Sequence, residues 1–503
     1  MIEWNLITNL WISPSEGGNF ITFLGILSYL IGILALFIIP ANRKPGEAIA
    51  WLLLIFLAPI FGALLFLLLG NPKLSEWRRN QQRTMNQYIK DAAEQAEQNP
   101  ALASIIDPPL PVHYESHVNL ITKLTGMPVM AGNTVELLPD YVGAVDRIVQ
   151  DIDAAKRFVH LEYFMFAADA VGLPVIDALV RARERGVVCR VLIDHLSNLL
   201  LQGPLLKRLG AAGIPVQCML PVDPFHNQWN RIDLRNHRKI VIVDGTVAFT
   251  GSQNLIEDNY HKRSNIKNGI YYIELVARVT GPVVRGFNAA FITDWYSETE
   301  ELLDERNAPE IRVRSTPMTG TALCQVLPSG PGFDHNNNLM LFVALLHAAR
   351  RRITIVNPYV VPEGTLLLAL TSAAQRGVEV TLIVSEIGDQ FMVYHAQSSY
   401  YEELLKAGVK IYRYQAPVIL HAKAITIDDD IAVISSSNMD IRSFQLNLEI
   451  TLVCYDIHVV ADLRKQEEEY LRCSHLLELE AWQARPLHTK LFDNLARLTS
   501  ALQ

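Results

Sequence analysis

The sequence predicts an α/β fold made of two copies of one unit, preceded by a membrane anchor of two apolar helices. Three observations carry this expectation. The stretches "HRKIVIVDGTVAFTGSQN" (237–254) and "HAKAITIDDDIAVISSSN" (421–438) share a His, a Lys two residues on, an Asp seven on and an Asn seventeen on. A chosen His carries that pattern by chance on the order of one time in ten thousand, so a second copy points to internal duplication. Upstream of both stretches, short β-rich runs alternate with helical patterns in the same order. Two long apolar runs precede everything else.

The 503 residues carry a net charge of −8, which supplies no electrostatic footprint for nucleic acid. Five cysteines (Cys189, Cys218, Cys324, Cys454, Cys473) are scattered and lack CxxC spacing, against both a disulfide framework and a zinc site. From Phe20 to Ile39 no residue is charged, and from Ala48 to Leu69 the chain is again apolar. Each run is long enough to cross a hydrocarbon core of ~30 Å at ~1.5 Å per residue. No Lys or Arg precedes Phe20, which sets the first run apart from a signal peptide. The expectation is a two-helix transmembrane hairpin, about 20–39 and 48–69, within an anchor of residues 1–70. Its loop holds Arg43 and Lys44, while residues 71–90 hold Lys73, Arg78, Arg79, Arg83 and Lys90. Positive-inside counting then places the bulk of the chain on the cytoplasmic side of the inner membrane. The basic cluster suits anionic headgroups and a solvated helix start equally.

Residues 71–130 read as that basic juxtamembrane segment and a connector, in which "DAAEQAEQNP" is helix-prone and Pro108, Pro109 and Pro111 break regularity. In the first copy, 131–305, "RFVHLEYFMF" reads as a strand, "LPVIDALVRARERG" as a helix ending at Gly186, and "VVCRVLID" as a strand. In the second, 315–503, "RRITIVNPYVV", "EGTLLLALTSAAQRG" and "VEVTLIVS" repeat that order. Then "LLKRLGAAGIPVQ" and "ELLKAGVKIYRY" each place a helix end, a Gly and a strand just before the His stretch. The acidic "SETEELLDERNAPE" between the copies suits a linker or surface helix; the C-terminal "LEAWQARPLHTKLFDNLARLTSALQ" suits a helix that lies on the membrane or packs, its periodicity slightly favouring packing.

Each His stretch opens on an alternating strand, so His237 and Lys239 share one face, as do His421 and Lys423. Imidazole titrates near neutrality and serves as nucleophile, acid or base. An ammonium suits a phosphate oxygen, and amides or hydroxyls donate further hydrogen bonds. Converging from two halves, His237, Lys239, His421 and Lys423, with Asn254, Asn438, Ser252 and Ser436 on the phosphate, make a phosphodiester site. A Lys beside each His would repel a cation, so the site is expected to hold no metal. Asp244 and Asp428 complete the repeated catalytic set, although "VDGT" and "DDD" also read as hairpin turns. A nucleophilic His needs its other ring nitrogen held by a carboxylate. Glu274 and Glu449, 37 and 28 residues after their His, sit among apolar residues and are each expected to orient the imidazole of their own half. The nine-residue difference is absorbed by "NLIEDNYHKRSNIKNG" after the first motif.

HxKxxxxD followed by GSxN, twice, resembles the phospholipase D superfamily, and the likeness extends to cardiolipin synthases over nearly the whole chain. "EYFMF", "NPYVVPE", "ELLKAGVKIYRY" and above all "SSNMDIRSFQLNLE" carry it, together with the two N-terminal apolar runs. The second motif departs by having Ser435 where the pattern has Gly. The resemblance implies paired sheets flanked by helices with the site at a pseudo-twofold interface. It implies a membrane-bound, cofactor-free enzyme that turns two phosphatidylglycerols into cardiolipin and glycerol through a phosphatidyl-histidine, with His237 attacking and His421 as acid and then base. Its partners would be phosphatidylglycerol, other membrane phospholipids and the membrane itself; no oligomeric state follows from it. The alternatives are a phospholipase D-type hydrolase, a synthase taking phosphatidylethanolamine as donor, and an inactive membrane scaffold.

Overall fold

A computed structural model describes residues 18–500 apart from 42, 107, 224–227, 230, 313–316 and 363. The chain divides into two units, Met1–Pro72 and Lys73–Gln503.

The first unit differs from the expected hairpin. Gly18–Ile38 is one helix, but the second apolar run forms two, Pro45–Leu57 and Pro59–Leu69. The break has a local cause: Pro59 lacks an N–H, and its ring drives Ala58 out of helical geometry, to φ −140° and ψ 76°. Helices of 13 and 11 residues reach only ~20 and ~17 Å at ~1.5 Å per residue. Side chains of the first helix are described from residue 22 on. Among the described residues no helix is long and apolar enough to cross a membrane. Residues 1–17, which the hairpin reading puts beside the main body, lie outside the described part. Ala35, Ile39, Ala48 and Ile55 form a small core, while large apolar side chains such as Phe23, Tyr29, Phe37, Leu57 and Leu67 point outward.

The second unit begins with the helix Glu76–Glu97, capped by the Ser75 hydroxyl. Its basic residues largely meet the chain's own acids: Arg78 pairs with Glu298 at 2.7 Å, Arg83 with Asp334 at 3.1 Å, and Arg79 with Glu76. The first copy then contributes strands β1 (Met130–Leu138), β2 (Phe158–Tyr163), β3 (Val188–Asp194), β4 (Val216–Met219), β5 (Lys239–Val243), β6 (Val247–Gly251) and β7 (Val276–Thr280). The second contributes β8 (Ala322–Ser329), β9 (Arg352–Val356), β10 (Glu379–Ser385), β11 (Lys410–Tyr414), β12 (Ala424–Ile427), β13 (Ile431–Ser435) and β14 (Asn447–Tyr455), with β15 (Ser474–Leu476) added at the edge.

All of them join one sheet in the order β15-β11-β10-β9-β12-β13-β14-β8-β1-β7-β6-β5-β2-β3-β4. Apart from β15 the order reads the same from both ends, each first-copy strand meeting its counterpart seven labels on. The duplication is therefore visible as a palindrome, and the expected paired sheets are one continuous sheet. Its seam is the antiparallel pair β1–β8, where Met130 faces Cys324 and Asn133 faces Ala322 across an irregularity. Buried Asn133 closes that irregularity, donating to the Met130 and Ala322 carbonyls and accepting from the Val283 N–H.

Strand alternation sorts the side chains into layers. Ile240 and Ile242 of β5 join a core shared by both copies, with Phe287 and Phe291 of helix Val284–Thr299 and Val460 and Leu463 of helix Ile457–Arg472. Val241 and Val243 face the other way, into a core of the first copy's own with Ile176 and Leu179. Ile425 and Ile427 enter the matching core of the second copy. The C-terminal helix Leu487–Arg497 packs on helix Phe391–Lys406, where Asp493 meets His395 at 2.7 Å.

Gly251 ends β6 at φ +146°, and a Cβ there would stand 2.2 Å from the Leu275 carbonyl oxygen. Its counterpart Ser435 instead bonds Thr451 through its hydroxyl at 2.7 Å. Gly251→Ala should lower unfolding free energy by at least about 2 kcal/mol, and Ser435→Ala by about 1 kcal/mol, in urea titrations.

Candidate active site

Two very short parallel pairings bring the copies together at the site. Arg235–Asn236 pairs with Asn447–Leu448 of β14, and Tyr271–Ile273 pairs with Val418–Leu420. Each pairing runs a His-bearing segment beside the Glu-bearing segment of the other copy. The ladder continues into the histidines: the His237 N–H donates to Leu448 O at 2.8 Å and the His421 N–H to Ile273 O at 2.7 Å.

The side chains follow the backbone across. His237 Nδ1 lies 3.0 and 3.1 Å from the Glu449 carboxylate oxygens, and His421 Nδ1 lies 2.7 Å from Glu274 Oε1. The expectation that each Glu serves its own half is corrected: both pairs cross. Glu274 sits in the break between Tyr271–Ile273 and β7, whereas Glu449 lies within β14. Both carboxylates are essentially inaccessible. Burial pushes each carboxyl up, but the facing imidazole, lysine and serine more than offset it and hold both below the ordinary range. An ionised carboxylate only accepts, so Nδ1 carries the proton and Nε2 of each ring is left for chemistry. Burial also pushes His237 down to about 4 and lowers His421, nearby lysines adding to the effect and the carboxylates opposing it.

The other expected residues separate into two groups. Lys239 and Lys423 are buried, each donating to the carbonyl of its own His at 2.7 and 2.8 Å. Burial brings their ammonium groups down to about 7 and about 8. Asn254 and Asn438 line the same cavity as both histidines, a space of about 380 Å³. The Asn438 side-chain oxygen is buried with no protein partner among the described residues.

Ser252 and Ser436, expected on the phosphate, are used elsewhere. The Ser252 hydroxyl bonds the Leu275 backbone, and the Ser436 hydroxyl donates to Glu449. Ser436 thus holds the carboxylate that holds His237, and Ser252 holds the backbone next to Glu274. Asp244 and Asp428 are corrected too. They sit at positive φ (52° and 48°) in the turns at the far ends of β5 and β12. Asp244 accepts from the N–H groups of Lys156, Arg157 and Phe158, and Asp428 from those of Arg350, Arg351 and Arg352. Each fastens the motif hairpin to the start of the neighbouring strand. The turns hold the aspartates at positive φ, but the donors their carboxylates capture lie 76 to 88 residues away in sequence, so the fastening is tertiary.

The cavity also holds residues the sequence reading passed over. Phe164 and Tyr359 lie in stretches read as strands and for family likeness, and Arg442 in the most family-specific stretch, while Tyr260, Lys262 and Tyr272 come from or just follow the segment counted as a spacer. Asp389 had no sequence signal. Tyr260 donates to Glu274 at 2.7 Å, so the first copy's extra segment supports the pair at His421.

Because Asp428 serves the hairpin, Asp428→Ala should cost about 1–3 kcal/mol of stability in urea unfolding while the folded enzyme keeps turnover within a few-fold of wild type. A loss of turnover at full stability would return Asp428 to the catalytic set.

Comparison with known proteins agrees with this geometry. The family model described as cardiolipin synthase, PLD-like domain, matches residues 148–280 and 342–471, one match in each copy. A phospholipase D–nuclease N-terminal model matches residues 30–71. Cardiolipin synthase A of Yersinia pseudotuberculosis serotype O:1b (strain IP 31758) is 32% identical over 494 residues, 96% of this chain and 98% of that protein. The protein of the same name from serotype IB (strain PB1/+) is 31% identical over 490 residues, covering 96% of this chain and 98% of its own length. Among solved structures, phosphatidylserine synthase of Haemophilus influenzae Rd KW20 shares the fold at a TM-score of 0.57 and 14% identity, covering 76% of this chain and 99% of that one. With both copies matched and relatives aligned from end to end, the chain belongs to the cardiolipin synthase family of phospholipase D-like proteins.

Proposed function

We propose that the chain is a membrane-associated phosphatidyltransferase that joins two phosphatidylglycerols into cardiolipin and releases glycerol. The observation that supports this most is the crossed arrangement: two imidazoles, each with Nδ1 tied to the other copy's Glu, around one cavity. His237 Nε2 attacks phosphorus, and the bond to the glycerol oxygen breaks as His421 gives that oxygen its proton. A second phosphatidylglycerol then enters through its terminal hydroxyl. His421 takes that proton, the new P–O bond forms, and the N–P bond returns its pair to His237. Lys239, Lys423, Asn254 and Asn438 stabilise charge on the non-bridging oxygens. The bound phosphodiester carries negative charge, which restores proton affinity to His421 against its burial.

The assignment of His237 as nucleophile follows the superfamily resemblance, in which the first-motif His attacks; burial lowers both imidazoles and leaves Nε2 of either ring free to attack. The outward-facing apolar side chains between Phe23 and Leu68 suit insertion into the bilayer, which raises the effective concentration of lipid substrates. The excess of Lys and Arg at 71–90 favours the cytoplasmic face of the inner membrane.

Purified protein in phosphatidylglycerol micelles, with lipid products separated, should yield cardiolipin. Phosphatidic acid alone would make it a hydrolase, and no product a scaffold. His237→Ala and His421→Ala should each lose at least about a thousandfold in turnover, and labelled lipid should be trapped on His237; label on His421 would reverse the roles.

The nucleophile must be unprotonated, so activity is lost as pH falls through its pKa of about 4. The lysines must be charged, so activity is lost as pH rises past about 7 to 8. The kcat profile, which reports the substrate complex, should therefore be bell-shaped, falling on the acid side as His237 protonates and on the alkaline side as His421 and the lysines lose their protons. A steep loss between pH 7 and 6 would contradict the assignment.

A further inference from the structure

The two histidines have unlike surroundings although their motifs are copies. The ring nearest His237 is Phe164, at 4.8 Å between centroids. Around His421 stand three phenols: Tyr272 at 5.4 Å, Tyr260 at 6.1 Å and Tyr359 at 6.2 Å. The hydroxyls of Tyr272 and Tyr359 both donate to the enclosed carboxylate of Asp389, the former at 2.7 Å. Lys262 pairs with the same carboxylate and reaches the Tyr272 hydroxyl at 3.2 Å. All of these side chains line the cavity.

In-line displacement puts the attacking nitrogen and the departing oxygen on opposite sides of phosphorus. With His237 attacking, the alcohol leaves and enters on the His421 side, against these phenols. A phenol that donates to Asp389 keeps its oxygen lone pairs, so the wall offers acceptors to alcohol hydroxyls. The Lys262 ammonium cancels the Asp389 charge and repels a second cation. Such a wall fits an uncharged polyol and disfavours an aminoalcohol.

We propose that Tyr272, Tyr359, Asp389 and Lys262 form a subsite for the uncharged polyol head beside His421, selecting glycerol over ethanolamine as the leaving group and over simple alcohols as the acceptor. The proposal rests on the phosphatidyl-transfer reading and adds to it what sets the headgroup preference. Lys262 and Tyr260 come from the longer segment that follows the first motif, which has no equal in the second copy.

The test uses two competitions with the full-length protein in mixed micelles. In the first, phosphatidylglycerol and phosphatidylethanolamine compete as donors; in the second, glycerol and ethanol compete as acceptors for a labelled phosphatidyl group. Wild type should prefer phosphatidylglycerol and glycerol. Lys262→Met should raise the use of phosphatidylethanolamine relative to phosphatidylglycerol about tenfold, by freeing Asp389 for an ammonium. Tyr272→Phe and Tyr359→Phe should each lower the preference for glycerol over ethanol about tenfold. Each ratio compares two substrates in one tube, so partial misfolding of a variant does not move it. Ratios within twofold of wild type in all three variants, or a wild type preferring phosphatidylethanolamine, would overturn the subsite. A wild type that transfers to no acceptor would instead overturn the underlying reading.

Discussion

Everything in this molecule's catalytic half depends on two carboxylate–imidazole pairs that cross between the copies. Had each Glu served its own His, either copy could hold a formed half-site alone. Because they cross, His237 is oriented only when the second copy is docked, and His421 only when the first is. The pairs are buried, where an unmatched carboxylate would be costly, so breaking the contact between copies would strand both charges at once. The seam strands β1 and β8, with Asn133 filling their irregularity, set the docking that lets the pairs close.

Each motif hairpin is held at both ends by a carboxylate doing a different job. At the cavity end another copy's Glu fixes the imidazole. At the far end Asp244 or Asp428 gathers three backbone N–H groups and ties the turn to the neighbouring strand. The serines following each hairpin act one step back, on the Glu or the backbone beside it. A repeated residue pattern therefore mixes chemistry with the scaffolding that positions it, and spacing does not distinguish the two.

The copies have also diverged around the shared frame. Gly251 holds a backbone conformation that a side chain would obstruct, whereas Ser435 occupies the equivalent place and uses its hydroxyl on Thr451. The first copy's extra segment delivers Tyr260 to Glu274 and Lys262 to Asp389. Through the crossed pairing, the longer segment after the first motif dresses the histidine of the second. A site with twofold ancestry thereby gains one hydroxyl-rich side and one dominated by Phe164.

Much was legible in the sequence because it is local or periodic. Alternating strands, helices ended by Gly186 and Gly377, the exact His-Lys-Asp-Asn repeat and the need for a Glu near each His all follow from chain chemistry a few residues wide. The apolar runs were legible too, but Pro59 breaks the second of them, a local clash that hydropathy averages away. Three things were decided only by tertiary structure. Which Glu serves which His depends on pairings some 150 to 210 residues apart. Whether Asp244 and Asp428 face substrate or backbone depends on which strand start packs against their turns. The tyrosine wall depends on Asp389, a loop residue without motif or period, whose meaning comes from the three side chains that fold onto it from elsewhere in the chain.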